Sequence, residues 1–295
     1  MAAHAFSFEE KAVSPWLEMG AYEALWDQKG ASFKAMAQRF AAHPGALPSD
    51  FVPDAAVCQS YAEKTVAILK SAGVNRFGVR INGAGEYPLK LRDAEFPIEL
   101  LYYQGKWDLV ETRCVAIVGA RKATKEGMAH ARLIGSRLAE EGFTIVSGLA
   151  AGIDTAAHGG AIQRGLPTIA VIGTPLSVSY PKENIGIQRF IARDNLLISQ
   201  VPVCSYKALG SLVQPKFFPE RNITMSALTE ATIIVEASDT SGTLTQAKAA
   251  MKQGRKLFIL ESCFRDASLK WPRSYENRLG ALRVANVGEI LKHLA

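Results

Sequence analysis

The sequence predicts an α/β fold with a mostly parallel sheet, preceded by a small helical domain. Three observations carry this. Between 114 and 160 the chain reads twice as apolar run, glycine turn and helix, the repeating unit of a parallel sheet. Four more short apolar runs follow before 261. The stretch 15–73 instead carries apolar residues at helical spacing, broken at Pro44-Gly45, Pro48 and Pro53.

Residues 1 to about 13 are expected to be loose. Trp16, Leu17, Ala21, Ala24, Leu25 and Trp26 define a first helix. Phe33, Met36, Ala37 and Phe40 define a second. Val57, Tyr61, Thr65, Ile68 and Leu69 define a third, over 54–72. Residues 79–81 suit a short strand, 86–88 a turn, and the apolar residues of 89–103 lead into the core. The run 115–118 is too short for a helix and is the first core strand. Gly119-Ala120-Arg121 turns it into a helix bearing Met128, Ala131, Leu133, Ile134 and Leu138. A second strand, 143–146, leads through the turn 147–152 to a helix that starts near Asp154 and stops at Gly165. Further strands are expected at 168–172, 196–198, 231–235 and 257–260. The segment 180–184 opens a helix with Ile187, Phe190 and Ile191 inward. An irregular connection is expected over 202–215, with 217–222 preceding a helix at 223–228. A turn at 238–242 leads to a helix over 243–253 that Gly254 stops, and 287–294 closes the chain as a helix. The expected domains are 1–78 (helical), 79–262 (core) and 263–295 (an extension closing on the core).

Hydrophobic content of 48% against 21% charged residues suits a globular chain rather than a disordered one. The net charge of +6 suits an anionic partner such as nucleic acid or nucleotide, and equally a solvated basic surface. Cysteines stand at 58, 114, 204 and 263, with no metal-ligand spacing. Cys114 abuts a core strand and is expected to be buried and reduced, which suits a reducing cytoplasm and no zinc. With no basic-then-apolar leader and no apolar run near ~18 residues, neither export nor a membrane span is expected.

Six stretches now form a set: VAIVGAR (115–121), SGLAAGIDTAAHGGAI (147–162), TIAVIGT (168–174), YPKEN (180–184), FPERN (218–222) and VEASDTSGTLTQA (235–247). In this order and at domain-scale spacing they resemble the DNA-processing protein A (DprA/Smf) family over about 80–270. The lead-in at 86–109 resembles that family as well. The resemblance implies an extended Rossmann-like domain that binds single-stranded DNA without catalysis or cofactor. It also implies a homodimer, with RecA recombinase as a partner in transformation or recombination. The chain departs from the family where Ile223 replaces a second arginine, where 261–264 replaces a loop, and where a C-terminal winged-helix domain is expected to be absent.

Both glycine turns lie where a strand ends and a helix begins, the usual place for an anionic ligand. Gly119 permits the tight turn, and Arg121 at the helix entrance offers a planar fork to phosphate or a salt bridge to a nearby loop. Ser147 and Gly148 offer amides and a hydroxyl. Gly152 suits a positive φ, and Asp154 suits capping of a helix beginning at Thr155. His158 suits packing better than catalysis. With the resemblance, Lys182 and Arg221 join Arg121 as phosphate contacts, Asn184 fixes its loop, and Asn222 accompanies Arg221. Phe217 and Phe218 suit base stacking or buried packing. Small residues at Ser241, Gly242 and Thr243 let a phosphate approach helix amides.

The same region resembles the Lonely Guy phosphoribohydrolases, whose GGxGTxxE signature ends in a working glutamate. Gln246 stands at that place, and an amide cannot exchange a proton at neutral pH. Glu236 nearby suits a ribose contact or, better, support of the loop. The expected function is therefore single-stranded DNA binding of the DprA type. The alternative is a nucleotide-binding sensor or nucleotide hydrolase of the same superfold, with phage defence one setting.

Overall fold

The computed structural model describes residues 13–295, so the segment expected to be loose lies outside the described residues. Helices α1 (Pro15–Trp26), α2 (Phe33–Ala41) and α3 (Ala55–Ser71) come first. Local chemistry starts each one. The Ser14 hydroxyl accepts from the Leu17 N–H with Pro15 in the first turn, Ser32 accepts from Ala35, and Asp54 accepts from Ala56. Helix α1 lies so close to α3 that a Cβ on Gly20 would stand 1.9 Å from the Cys58 carbonyl oxygen.

Nine strands form one sheet: β1 (Gly78–Ile81), β2 (Leu100–Gly105), β3 (Cys114–Gly119), β4 (Thr144–Ser147), β5 (Thr168–Ile172), β6 (Leu196–Ser199), β7 (Ala231–Glu236), β8 (Lys256–Leu260) and β9 (Ala281–Val284). Their order is β1-β2-β6-β5-β4-β3-β7-β8-β9. The pairs β1–β2 and β2–β6 are antiparallel, and all the others are parallel. Connections run through α4 (Lys125–Glu140), α5 (Ile153–Gln163), α6 (Ile185–Asp194), α7 (Gly210–Val213), α8 (Phe217–Leu228), α9 (Thr243–Lys252) and α10 (Glu261–Arg265), and α11 (Val287–Leu294) ends the chain. This is the mostly parallel, Rossmann-like α/β fold with a helical N-terminal segment.

Alternation along β3 shows why its sequence is a continuous apolar run. Val115 and Ile117 pack with Ala131 and Ile134 of α4 and Ala157 of α5. Ala116 and Val118 pack in another cluster with Met225 and Leu228 of α8 and Ala247 of α9. Helices cover both faces, so every position is buried. From β3 the chain steps through β4 and β5 to β6 on one side, then returns to β7, β8 and β9 on the other. The crevice outside the carboxyl ends of β3 and β7 is thus the topological switch point, where open α/β sheets take ligands.

The helical segment shares a core with the sheet: Tyr22, Leu25, Trp26 and Phe33 cluster with Leu100, Tyr102, Ala170, Ile172 and Leu197. Glu23 fastens the two. It is fully buried, takes the Val203 and Cys204 N–H groups at 2.8 Å each, and accepts from the Tyr102 hydroxyl. Burial pushes its carboxyl up, opposed by these donors. Glu23→Ala leaves three buried donors without a partner, and a loss of about 2–3 kcal/mol in urea unfolding is expected.

The structure corrects three expectations. Residues 217–222 do not precede a helix but form the first turns of α8. Pro219 fits there because first-turn N–H groups lack intrahelical acceptors in any case. The connection 202–215 contains the short helix α7. The segment after 262 supplies β9, which pairs in parallel with β8. Cys114 is buried, and the four cysteines are free thiols. No described helix is long and apolar enough to cross a membrane.

Candidate functional site

A cleft of about 700 Å³ opens at the switch point, between the turn after β3, the first turns of α8 and the loop after β7. Gly119 makes the turn possible, since a Cβ there would meet Ile153 Cγ1 at 2.6 Å and the Glu236 carbonyl oxygen at 2.7 Å. The Ala120 N–H donates to that carbonyl at 2.7 Å. The Glu236 carboxylate accepts from the Thr124 hydroxyl at 2.7 Å and its N–H at 3.2 Å, which gives it the loop-holding role.

Arg121 projects from this turn. It is exposed, and no hydrogen bond or ion pair engages it among the described residues. Its guanidinium carbon stands 5.3 Å from the centroid of the Phe218 ring, within cation–π range. The Phe218 ring lies 5.5 Å from that of Tyr180, which is 48% exposed. Gly173 makes room, because a Cβ there would strike the Phe218 ring at 2.6 Å. An unpaired cation, a half-buried aromatic ring and an open tyrosine thus form one surface at the strand ends. Sequence reasoning missed Tyr180; its signal was an aromatic residue in a polar, proline-bearing loop.

Arg221 stands apart from that surface. It is 4% exposed and lies beneath the cleft floor, where Nη1 donates to the Gly148 and Val171 carbonyls at 2.5 Å each. Burial pulls it down to about 10, partly offset by the charge of Asp154. A Cβ on Gly148 would stand 2.2 Å from the guanidinium, so the glycine makes room for an arginine rather than a ligand. The Ser147 hydroxyl is buried and donates to the Ile117 carbonyl at 2.6 Å. Phe217 is also buried, with ring centroids 5.7 Å from Phe33 and 5.9 Å from Tyr206. The structure therefore brings Gly119, Arg121, Phe218, Asn222, Ser241, Gly242 and Thr243 to the cleft, buries Ser147, Gly148 and most of Arg221, and packs Phe217 against the N-terminal helices.

Asn222 donates to the Gly242 carbonyl at 3.0 Å, and Thr243 Oγ1 donates to the Gly119 carbonyl at 3.3 Å. These bonds tie the loop after β7 to the turn after β3. Gly152, at φ +78°, is the N-cap of α5, which starts at Ile153 rather than Thr155. Asp154 is therefore the second helical residue; its carboxylate accepts from the Ala150 N–H at 3.3 Å. Burial pushes Asp154 up, and Arg221 opposes this. Asn184 fixes its loop by donating to the Leu149 carbonyl and to Thr155 Oγ1, each at 2.8 Å. Gln246 is fully buried and donates to Thr232 Oγ1 at 3.3 Å. Lys182 is exposed and lines a second cleft, beside α6.

His158 is fully buried, with Nδ1 2.7 Å from Thr168 Oγ1. That hydroxyl donates to the Ile145 carbonyl, so Nδ1 is the ring nitrogen that carries the proton. Burial and the charge of Arg221 pull the imidazole down to about 3. The unfolded chain takes up a proton near pH 6.5 that the folded chain refuses, so this stabilisation is whole above that pH and is lost as pH falls. The stability gap between the protein and its His158→Gln variant is expected to shrink by about 2 kcal/mol from pH 7 to pH 5. Parallel urea curves at the two pH values read this directly.

The family model described as DNA recombination-mediator protein A matches residues 79–295. The chain is 41% identical over 182 residues to the DNA processing protein DprA of Streptococcus pneumoniae, an alignment covering 61% of each protein. It is 39% identical over 179 residues to the protein Smf of Synechocystis, covering 59% of this chain and 44% of that protein. It spans less than two thirds of the length of these relatives. The X-ray structure of the Streptococcus pneumoniae DprA superposes with a TM-score of 0.65 at 29% identity, over 95% of this chain and 93% of that one. A structure of DNA processing protein A from Helicobacter pylori, concerned with its single-stranded DNA binding mode, superposes with a TM-score of 0.62 at 26% identity, over 74% of this chain and 95% of that one. The architecture, the switch-point cleft and these likenesses agree: the chain belongs to the DNA recombination-mediator protein A family.

Proposed function

We propose that the chain binds single-stranded DNA without altering it, as a DNA-processing protein of transformation or recombination. The observation that carries this is the exposed, unpaired Arg121 stacked on Phe218 beside Tyr180. Arginine forks phosphate oxygens, while open aromatic faces take bases of any sequence. The Helicobacter pylori relative, described by its single-stranded DNA binding mode, supports the same ligand. The residue at one position of the cleft supports binding rather than turnover. Gln246 is buried and donates to Thr232 Oγ1, and an amide supplies no acid–base step. A homodimer, RecA as a partner and a cytoplasmic setting belong to this reading too.

Fluorescence anisotropy with a labelled oligonucleotide tests it. Binding is expected to prefer single strands over duplex, to show little sequence preference, and to weaken with salt by about 0.7 log units per decade for each phosphate contact. Saturable displacement by micromolar mononucleotide would overturn it in favour of a nucleotide sensor.

A further inference from the structure

The two clefts differ in charge. In the switch-point cleft Arg121 and Lys122, with the largely buried Arg221 below them, meet four carboxylates. The second cleft, of about 1320 Å³, is lined by Arg76, Lys106, Lys182, Arg189 and Arg193, and by no Asp or Glu. Only Arg193 has an ion-pair partner among the described residues, Asp194 at 2.6 Å. Arg76, Lys106, Lys182 and Arg189 are all exposed. Like charges around one concavity repel one another and concentrate anions there.

The second cleft is built along α6. Ile185, Gln188, Arg189, Ala192 and Arg193 line it, at the i, i+3, i+4, i+7, i+8 spacing of a single helix face. Opposite run the turn before β1 and the end of β2. Gln188 is 4% exposed, yet its Oε1 has no hydrogen-bond partner among the described residues. A buried acceptor left open on a groove wall suits an N–H donor brought by a ligand. At 10 residues α6 is about 15 Å long, room for about four stacked nucleotides.

Side-chain contacts lead from one cleft toward the other. Arg121 lies over Phe218, Phe218 meets Tyr180, and Lys182 follows two residues later on the wall of the second cleft. We infer that a single nucleic-acid strand leaves the switch-point cleft over Tyr180 and continues along α6, where Arg76, Lys106, Lys182 and Arg189 hold its phosphates. This rests on the proposed single-strand reading and extends it. The switch-point cleft supplies the stacking and the Arg121 contact that anchor the strand; the α6 groove adds phosphate contacts to a strand long enough to reach it.

The test compares a short oligonucleotide, about 6 nucleotides, with one of about 20, on the full chain and on its Arg76→Glu/Lys106→Glu/Arg189→Glu variant. The variant is expected to bind the short strand within about 2-fold of the unaltered chain and the long strand about 10-fold or more weakly. Its salt slope on the long strand is expected to fall by about 2, three lost contacts at about 0.7 each. Arg189→Gln alone is expected to show a smaller loss of the same kind, about 3-fold on the long strand only, and serves if the triple variant does not fold. Unchanged long-strand affinity and slope in both variants would overturn the α6 track and leave the switch-point reading intact. If the unaltered chain fails to bind either oligonucleotide, the single-strand reading itself fails.

Discussion

Arg121→Glu is expected to weaken single-strand binding about 100-fold at matched salt without moving the urea midpoint. No side chain or backbone carbonyl in the described structure depends on this guanidinium, so the fold loses only its contact with the Phe218 ring. A ligand loses a forked phosphate contact and meets a carboxylate of the wrong sign in its place. Arg121→Lys separates the two effects. It keeps the charge but gives up the planar fork and much of the stacking, and an intermediate loss of about 5–10-fold is expected. The salt slope should fall by about 0.7 for Arg121→Glu and hold for Arg121→Lys, because the slope counts phosphates neutralised. Wild-type affinity in Arg121→Glu would remove the switch-point cleft as the interface.

The central parallel strands of this protein were legible because both faces of its sheet are covered, whereas the antiparallel β2 was not read as a strand. Positions 115–118, 169–172 and 257–260 had to be apolar throughout, and each lies in a strand of the sheet. Strand β9 was not legible, since Ala281 and Leu282 are only half buried and Arg283 is exposed, as an edge position allows. In the site, the turn after β3 and the loop after β7 could be read, because their glycines answer to backbone geometry. The direction of a side chain on a helix start could not. Starting the helix at 223 placed FPERN outside α8 and made Arg221 look like a free cation. The contrary signal was present: Phe217, Arg221, Thr224, Met225 and Leu228 recur at helical spacing and are the buried face, whereas Phe218 and Asn222 form the adjoining row along the cleft. Tyr180 and the α6 groove escaped for another reason. Both depend on segments distant in sequence coming together, Tyr180 with Phe218 in one case and the stretches bearing Arg76 and Arg189 on one cleft in the other, which no local pattern encodes.

Arg221 then makes a prediction opposite in kind to that for Arg121. Arg221→Met is expected to destabilise the fold by about 3–5 kcal/mol, the usual consequence of removing one partner from a buried charged network. Two carbonyls, of Gly148 and Val171, lose their donor. Asp154, whose carboxyl burial pushes up and the Arg221 charge draws back down, loses that compensating charge. Methionine is long and apolar enough to occupy much of the space, so the loss reports electrostatics and hydrogen bonding more than a cavity. Adding Asp154→Asn removes the stranded carboxylate, and the double variant is expected to recover about 1–2 kcal/mol relative to Arg221→Met, a coupling that a thermodynamic cycle measures. Binding should follow stability: wherever Arg221→Met remains folded, its affinity for the short strand should stay within about 3-fold of the unaltered chain, because the guanidinium bonds carbonyls under the floor and not the ligand. A variant that folds normally but binds about 100-fold more weakly would return Arg221 to the contact surface and would mean that the floor opens when a strand is bound.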